Sequence, residues 1–530
     1  MIDLIFNRDT QLVSIDKSHF FRKVQTALAE GYFLRKRRRD IRRAAARIGG
    51  FFEKDEEVAL ETSTEEHDAA ETERASAGRE EAHDAPQPET DADEEKKEKP
   101  HWFSDRLAAI DEWLGKKTRY ALLKKLPIVE NRIVFSTFQN TYTCNCRYIA
   151  DELLNRLEKE ATAEKPNHGN RDIKDMPYQL IFIVNRAVYA NKDDYDIPDD
   201  IWLVSRGSIA SFIALGTAKF WFDNALNCIW KDIPKKDGQI YINTWHGSLG
   251  IKRLGGDEHW LDIARRSQDS IDYFLTNSTF DEDVFRGSFW PRREATKEDE
   301  TPHQVEFLRY GHPRNDIFYQ PVKMAELKTK VYGHWDINPQ VHTALYAPTF
   351  RDNKSDVSAI RIDCEKLKKT LEQRFGGEWR IIVKAHMHNR HNPELRQMFA
   401  NLDDVIDASD YNDMQELLAA VDVGITDYSS WIFDFIATRR PGFIYARDIE
   451  QYINSRGFYY PLSETPFSIA SSDEELCANI LAFNEEDYAV RLQKFFDGKG
   501  YFEDGSASGK TADFVCDVIK ASKQTAGKKN

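Results

Sequence analysis

Residues 421–435 read VDVGITDYSSWIFDF and carry the clearest information on the fold. The apolar run at the start of this stretch predicts a buried strand, and the apolar residues from Trp431 onward predict a helix. Between them stand Asp427, Ser429 and Ser430, residue types that often cap helix N-termini. The free backbone amides at a helix start also bind phosphate groups. The stretch therefore predicts a strand–loop–helix unit whose loop either caps the helix or holds a phosphate.

The same alternation of apolar runs and amphipathic stretches extends from Asn131 towards the C-terminus. Such alternation predicts an α/β fold, in which parallel sheets carry helices on both faces. The predicted strands form two series, joined near 319–330, so we predict two doubly wound parallel-sheet domains that face a central cleft. The first series is 132–135, 179–184, 201–204, 239–242, 273–275 and 305–310; the second is 343–346, 380–383, 405–406, 421–425 and 442–445.

Five polar clusters each follow one of these predicted strands. In parallel α/β sheets, the carboxyl ends of the strands border the ligand-binding crevice. We therefore expect all five clusters to face one cleft between the two domains. The clusters are NTWHGSLGIK (243–252), GHPRND (311–316), APTFRD (347–352), KAHMH (384–388) and TDYSS (426–430).

Basic residues in these clusters suit a diphosphate ligand. Lys252, Arg314, Arg351 and Lys384 each follow a strand, and a pyrophosphate needs charged donors from several directions. Any one of them taken alone is more often a surface charge. Asp434 follows Ser430 by one helical turn, so we expect it to bind a ligand hydroxyl or to act as an internal cap.

Two histidines are candidates for proton chemistry. A histidine titrates near neutral pH and suits a general base, although a lone histidine in a loop is more often structural. His246 stands between Trp245, which can shield it, and Gly247, which allows another group to approach closely. His386 stands close to Lys384. His312 precedes a proline, and we interpret it as mainly structural.

Composition separates the first hundred residues from the rest. Segment 1–53 contains LRKRRRDIRRAAARIGGFF at 34–52, which predicts a basic amphipathic helix on an anionic membrane surface, a solvated helix or a nucleic-acid contact. Residues 51–100 hold 19 acidic and 6 basic side chains, so we predict a disordered linker over 54–100. This linker dominates the net charge of −15, and we expect no nucleic-acid partner for the folded part. A further helix is predicted from His101.

Cysteine usage and hydropathy indicate the compartment. The six cysteines are scattered without a CxxC pair, which favours free thiols in a reducing environment over a metal site. No apolar run approaches the ~18 residues that a membrane span needs. We therefore expect a protein of the cytoplasm or of the inner face of a membrane.

Taken together, these motifs resemble the CDP-glycerol glycerophosphotransferase family, the teichoic acid polymerases and primases of bacterial cell envelopes. The resemblance covers roughly residues 131–514. It rests on RGSIASFIALGTAKFWFDNA, WHGSLGIKRLG, LTNSTFDEDVF, GHPRNDIF, YAPTFRDN, KAHMH and TDYSSWIFDF, in that order. It implies a glycosyltransferase-B fold with an acceptor domain at 101–325 and a CDP-polyol donor domain at 326–530, on the cytoplasmic face of the cell membrane.

The resemblance also implies roles for individual residues. His246 matches the catalytic base, and His386 matches a second histidine near the phosphates. The positions that hold the substrates are Gly247, Ser248, Arg314, Pro348, Thr349, Lys384, Ser429, Ser430 and Asp434. This chain departs from the family pattern at two places. Ser248-Leu249 replaces the Thr-Pro that usually follows WHG, and Ala385 separates Lys384 from His386. Both departures limit which residue roles can be transferred from the family.

The implied reaction transfers glycerol phosphate or ribitol phosphate from a CDP-polyol to a hydroxyl of a cell-envelope glycan or teichoic-acid-like acceptor, releasing CMP. We expect no cofactor and no protein-bound metal, since no DxD-like acidic cluster stands out. Two alternatives stay open: a nucleotide-sugar glycosyltransferase or epimerase of the same fold, and a non-catalytic membrane-surface scaffold. A homo-oligomer is also left open, as are the choice of polyol and the number of units added.

Overall fold

The computed structural model describes residues 123–163, 177–225, 233, 235–254, 270–289, 305–349, 360–385 and 404–527. These residues belong to one unit of the chain, which comprises 117–171 and 175–530. The predicted basic helix at 34–52, the acidic linker at 54–100 and the start of the helix predicted from His101 lie outside the described residues. None of the described helices is long and apolar enough to cross a membrane.

The first sheet has seven parallel strands in the order β3-β2-β1-β4-β5-β6-β7. Strand β2 (QLIFIV) is buried along its whole length, as expected for a parallel strand that is covered on both faces. The strands are β1 (Val129–Ser136), β2 (Gln179–Val184), β3 (Trp202–Ser205), β4 (Ala218–Asp223), β5 (Ile240–Asn243), β6 (Tyr273–Leu275) and β7 (Glu306–Leu308). The described helices of this part are α1 (Cys144–Ala163), α2 (Arg186–Ala190), α3 (Ile209–Thr217) and α4 (Thr279–Phe289).

The second sheet has six parallel strands in the order β10-β9-β8-β11-β12-β13. They are β8 (His342–Tyr346), β9 (Trp379–Val383), β10 (Val405–Asp407), β11 (Val423–Thr426), β12 (Gly442–Tyr445) and β13 (Ser468–Ala470). The described helices are α5 (Pro321–His334), α6 (Cys364–Phe375), α7 (Met414–Ala420), α8 (Trp431–Phe435), α9 (Ile449–Arg456), α10 (Asp473–Leu481), α11 (Glu485–Lys499) and α12 (Ala507–Gly527). A 3₁₀ helix, Pro313–Tyr319, connects the two sheets.

Each sheet has its own hydrophobic core, and the last helix joins the core of the first. Ala512, Val515 and Ile519 of α12 are buried with Ile133 and Phe135 of β1. Although α12 follows the second sheet in sequence, it packs against the first, so the chain crosses between the two sheets twice. The domain bounds 101–325 and 326–530 stay a prediction.

The strand order reverses once in each sheet, between β1 and β4 and between β8 and β11. Loops that leave the carboxyl ends of such neighbouring strands diverge and open a crevice, which is where parallel α/β sheets bind ligands. All five polar clusters named above begin at carboxyl ends of strands. The predicted fold class of two doubly wound parallel sheets is therefore confirmed, while β4 and β13 are strands that the sequence pattern did not predict.

Candidate functional site

Loops from the two sheets meet at Gly247 and Ser430. A Cβ atom added to Gly247, in the loop after β5, would lie 3.4 Å from the Ser430 Oγ, in the loop after β11. Gly250 approaches the same serine, with an added Cβ at 3.8 Å from its Cβ. The WHG motif and the TDYSS motif therefore form adjoining parts of one site, as the sequence predicted from their places after strands.

The tautomer of His246 is fixed by its contact with Asn224. The Nδ1 atom of the imidazole lies 2.6 Å from the carbonyl oxygen of Asn224, the residue that follows β4. A carbonyl oxygen only accepts hydrogen bonds, so Nδ1 must carry the proton and donate it. In the neutral ring, Nε2 is then the unprotonated nitrogen and is able to accept a proton from a substrate.

The surroundings of His246 favour its neutral form. The ring is exposed on one side, yet protein atoms crowd it from the others, and this burial lowers the pKa of His246 below its ordinary value. The positive charge of Arg314 lowers the pKa further, while the hydrogen bond to Asn224 acts in the opposite direction. Water at the exposed side limits the shift. The imidazole is therefore neutral at neutral pH, the state that a general base requires.

Trp245, the residue before the histidine, has a left-handed backbone with φ of +52°. This conformation is costly for a bulky residue and persists only where the surroundings enforce it. The Trp245 amide donates to Asn243 Oδ1 at 2.8 Å. Its indole packs 5.4 Å from both Phe285 and Phe289 of α4, measured between ring centroids. The strained residue thus fixes the backbone directly before His246.

Asn145, in the first turn of α1, connects this loop to the loop after β7. Its side-chain amide donates to the carbonyl oxygens of Thr244, at 2.9 Å, and Trp245, at 3.1 Å. Its Oδ1 accepts from the backbone amide of Arg314 at 3.1 Å. The side chain is completely buried. Asn145 thus holds both the loop of His246 and the start of the 3₁₀ helix that carries Arg314. We identify it as a positioning residue for His246.

We expect Asn145→Asp to lower the transfer rate about tenfold while the donor concentration at half-saturation changes little. The substitution keeps the acceptor for Arg314 but places a carboxylate oxygen against two carbonyl oxygens, and unpaired buried acceptors cost ~1–3 kcal/mol. Steady-state kinetics and thermal melting measure the two effects. Asn484→Asp is the matched control, because the Asn484 Oδ1 accepts from the Asp487 amide at the start of α11 and aspartate retains that bond. A folded Asn145→Asp enzyme with a normal rate would contradict this role.

The second half of the WHGSLG loop is fixed by both parts of the chain. The buried Ser248 hydroxyl accepts a hydrogen bond from Asn277, so this predicted substrate residue faces the first part of the molecule. The Leu249 amide donates to the buried Asp281 at 3.1 Å, and burial raises the pKa of Asp281 to about 7. The Leu249 carbonyl accepts from Tyr460, which follows α9, at 2.5 Å.

Arg314 and Asp434, both predicted to hold the donor, pair with each other. The guanidinium donates through Nε and one terminal nitrogen to the two carboxylate oxygens, each at 3.1 Å. The carboxylate also accepts from Asn315 at 2.9 Å and from Gln415 at 3.3 Å. Both charged side chains are buried. This ion pair joins the 3₁₀ helix to α8 beneath the site, a contact that the sequence did not predict.

Beside α8, the loops after β8 and β11 are bonded to each other. The Thr349 amide donates to Asp427 Oδ1 at 2.8 Å, and the Trp431 indole donates to the Ala347 carbonyl at 2.9 Å. Pro348 lies between them and is buried. These loops flank the point where the strand order of the second sheet reverses. The predicted donor residues Pro348 and Thr349 therefore lie at the expected crevice.

Ser430 begins helix α8 but makes no side-chain capping bond there. The capping interpretation of this serine therefore lacks its hydrogen bond, and its neighbour Ser429 is also only partly buried. Lys384, after β9, donates to the carbonyls of Ala408 at 3.1 Å and Tyr411 at 2.5 Å, which fixes its charge at the same edge of the second sheet.

Two basic or titratable residues of the predicted site, Arg351 and the proposed second histidine His386, lie outside the described residues. In the parts of the chain that the structure describes, no cluster of three or more His, Cys, Asp or Glu side chains could hold a metal ion. The Cys144 Sγ atom lies 3.4 Å from an Arg314 nitrogen, and the buried Cys146 Sγ atom lies 3.5 Å from the Ser136 carbonyl oxygen.

Sequence reasoning missed three residues of the site: Phe138, Asn145 and Asn224. Asn224 and Phe138 follow strands β4 and β1 at the point where the strand order of the first sheet reverses. Prediction of β4 would have placed Asn224 at a carboxyl end with the other polar clusters. Asn145 lies inside α1, and its two-sided contact has no signal in the local sequence.

Comparisons with known proteins show which family the chain resembles. Residues 118–517 match the family described as CDP-Glycerol:Poly(glycerophosphate) glycerophosphotransferase. The teichoic acid poly(glycerol phosphate) polymerase of Bacillus spizizenii is 28% identical over 415 residues, which cover 74% of this chain and 94% of the relative. The teichoic acid ribitol-phosphate primase of the same organism is 28% identical over 296 residues, covering 54% and 72%. The match spans only 46% and 50% of two longer polymerases, from Staphylococcus epidermidis and Bacillus subtilis.

The fold has a solved counterpart. The structure of the wall teichoic acid polymerase TagF aligns with a TM-score of 0.61 and 25% identity, over 79% of this chain and 97% of that chain. This likeness confirms the glycosyltransferase-B-like arrangement of two parallel-sheet domains. Since the family match covers most of the chain, the chain is an enzyme of the transferase class and belongs to the CDP-glycerol:poly(glycerophosphate) glycerophosphotransferase family, the family that its motifs predicted.

Proposed function

We propose that the chain transfers polyol phosphate, as glycerol phosphate or ribitol phosphate, from a CDP-polyol to a hydroxyl of a cell-envelope glycan or teichoic-acid-like acceptor. The observation that carries the proposal is the state of His246. Its Nδ1–H is held by the Asn224 carbonyl, its Nε2 is unprotonated, and its loop adjoins Ser430. A neutral base on one sheet thus meets a polar loop of the second sheet.

In the proposed reaction, the acceptor hydroxyl gives its proton to Nε2 of His246. The acceptor oxygen attacks the β-phosphorus of the CDP-polyol and forms a new phosphodiester bond. The bond between the β-phosphorus and the bridging oxygen breaks, and CMP leaves with that oxygen. The hydrogen bond from Nδ1 to the Asn224 carbonyl strengthens when the ring becomes positive, which stabilises the protonated base.

Negative charge that develops on the diphosphate needs donors on the side of the second sheet. We assign this role to Ser429 and Ser430, to the charge of Lys384 at the same sheet edge and to His386, which the sequence predicts but which lies outside the described residues. Pro348 and Thr349 form the adjacent wall of the crevice. Arg314 and Asp434 contribute by joining the two sides, and a direct contact of either with the donor stays a prediction.

We expect the double change Ser429→Ala and Ser430→Ala to weaken CDP-polyol binding about tenfold with little loss of stability. Hydrogen bonds to a charged group contribute ~1.5–3 kcal/mol, whereas Ser430 forms no capping bond whose loss would destabilise α8. Titration calorimetry with CDP-glycerol and a melting curve separate the two effects. Asn484→Ala is the control: its side chain caps α11, so stability should fall by ~1 kcal/mol with donor affinity unchanged. The same pattern in the serine variant would refute phosphate binding.

Product analysis tests the function itself. The purified chain is incubated with CDP-glycerol, CDP-ribitol or a UDP-sugar, each with a bacterial cell-envelope extract, and the products are analysed by mass spectrometry. The proposal expects CMP together with an acceptor that is heavier by one or more polyol-phosphate units. Release of UDP, or epimerisation of the sugar, would instead indicate the nucleotide-sugar alternatives. Absence of turnover with all three donors would contradict the proposal.

The proposal extends to a location on the cytoplasmic face of the cell membrane, where lipid-linked acceptors are found. The support is the basic amphipathic pattern at 34–52, whose arginines are attracted to anionic lipid. That segment lies outside the described residues, so its part in membrane binding stays a prediction from charge and periodicity. A homo-oligomer also stays a prediction.

A further inference from the structure

Phe138 is an exposed aromatic residue on a rigid loop. It follows β1, and 44% of its surface is exposed. Its backbone amide donates to the Asn224 Oδ1 at 2.7 Å. The neighbouring turn is closed by the Thr137 hydroxyl, which bonds to the carbonyl of Thr141 at 2.8 Å and accepts from its amide at 3.0 Å. These hydrogen bonds hold the loop in the conformation that exposes the ring.

The ring lies beside the proposed base. Phe138 and His246 are stacked with centroids 5.5 Å apart and planes 13° apart. Asn224 fixes both, because its side chain accepts from Phe138 and its carbonyl accepts from His246. Phe138 and Asn224 follow β1 and β4, the pair of strands between which the order of the first sheet reverses. The ring thus occupies the position in the first sheet at which parallel sheets bind ligands.

An apolar ring at this place suits an acceptor more than it suits the other candidate occupants. Aromatic side chains offer a large, rigid surface at a small cost in conformational entropy. The C–H groups of a sugar or polyol unit can pack on such a surface while the hydroxyls point to polar groups. The loops assigned to the donor belong to the second sheet. Phe138 belongs to the first sheet, where Asn224 accepts hydrogen bonds from both Phe138 and the base His246. A structural role alone would not require the ring to be exposed.

We propose that Phe138 is the acceptor platform of the enzyme: the C–H face of the terminal polyol or sugar unit packs on its ring and brings the attacking hydroxyl to Nε2 of His246. This inference rests on the proposed function, since it takes His246 as the base. It adds an acceptor-specificity residue to the first sheet, opposite the serines assigned to the donor.

The test measures acceptor and donor dependence separately. The probe acceptor is a synthetic tri(glycerol phosphate), with CDP-glycerol or CDP-ribitol as donor, and Phe138→Ala is compared with Phe138→Trp. For the alanine variant we expect the acceptor concentration at half-saturation to rise about tenfold, with the donor concentration at half-saturation unchanged. The tryptophan variant should stay within about threefold of the natural enzyme, because it keeps an aromatic face. Tyr189→Ala, at a residue that is 52% exposed on α2, is the control and should change neither value.

Two results would overturn the proposal. A rise in the donor concentration at half-saturation would mean that the ring stacks on the cytosine base of the donor. A fall in turnover with both half-saturation values unchanged would mean that the ring only packs against His246. Failure of the proposed function looks different from either, because the natural enzyme would then release no CMP from either CDP-polyol.

Discussion

Replacing His246 with glutamine should lower the rate of polyol-phosphate transfer by ~10² or more, the usual effect of losing a positioned general base. Glutamine keeps a polar side chain of similar length, but its amide has no nitrogen that accepts a proton. Donor binding should be nearly unchanged, because the base acts on the acceptor. Release of CMP and titration with CDP-glycerol measure the two properties. His342→Gln, at the amino end of β8 and away from the strand ends that carry the motifs, is the control.

The pH profile of the natural enzyme should report the same residue. A base is active in its unprotonated form, and a lowered pKa means that protonation occurs only at a lower pH. We therefore expect kcat/KM to stay level as the pH falls from about 8 to about 6, below the ordinary histidine pKa of ~6.5, and to fall at lower pH. A decline centred at or above that ordinary value would contradict the environment described for His246. Near-normal turnover of His246→Gln would contradict its role altogether.

Breaking the Arg314–Asp434 pair should destabilise the protein more than any other single change considered above. Removing one partner of a buried ion pair leaves the other charge without compensation, which costs ~3–5 kcal/mol. Asp434→Ala would also remove the acceptor of the Gln415 amide and one acceptor of the Asn315 amide, which keeps its bonds to Glu503. Because the pair joins the 3₁₀ helix to α8, transfer activity should be lost together with stability.

A double-mutant cycle separates structural pairing from a direct contact with the donor. We expect the combined change Arg314→Met and Asp434→Leu to destabilise less than the sum of the single changes, since neither charge of the pair is left without its partner. Denaturant unfolding of the four proteins provides the measurement. Glu474→Ala is the control, because its ion pair with Lys366 lies at the surface and should contribute little. Additive effects in the cycle, or loss of donor affinity with full stability, would show that the two residues act independently.

The sequence predicted the strands well where an apolar run has clear ends. The buried run before TDYSS and the run QIYI before NTWHG both became strands, with helices or loops after them. Strand β4 was missed because it follows α3 without a single intervening residue. The combined stretch IASFIALGTAKFWFD is predominantly apolar, and periodicity does not separate a buried helix from a buried strand. Strand β13 reads SIA and contains a single large apolar residue, so it has no apolar run.

The places of the polar clusters also followed from the sequence, because parallel topology puts every carboxyl end at the same edge of a sheet. That rule placed His246 at this edge of the first sheet and Ser430 at this edge of the second, and the packing of the sheets brought the two loops together. The sequence could not indicate the pairing of Arg314 with Asp434, since they are 120 residues apart and each alone looks like a ligand for the donor. The choice of partner depends on how two separately formed cores pack.

The tautomer of His246 shows the same difference between what local sequence determines and what tertiary packing determines. Residue type and motif were enough to identify a candidate base in the first sheet. The proton on Nδ1 is fixed by the carbonyl of Asn224, 22 residues earlier in the chain. The loop that carries His246 is held by Asn145 of helix α1. Local sequence specifies strands, turns and the chemistry of side chains, since these depend on near neighbours. The orientation of a side chain depends on contacts between distant segments, which exist only after both sheets have formed and packed.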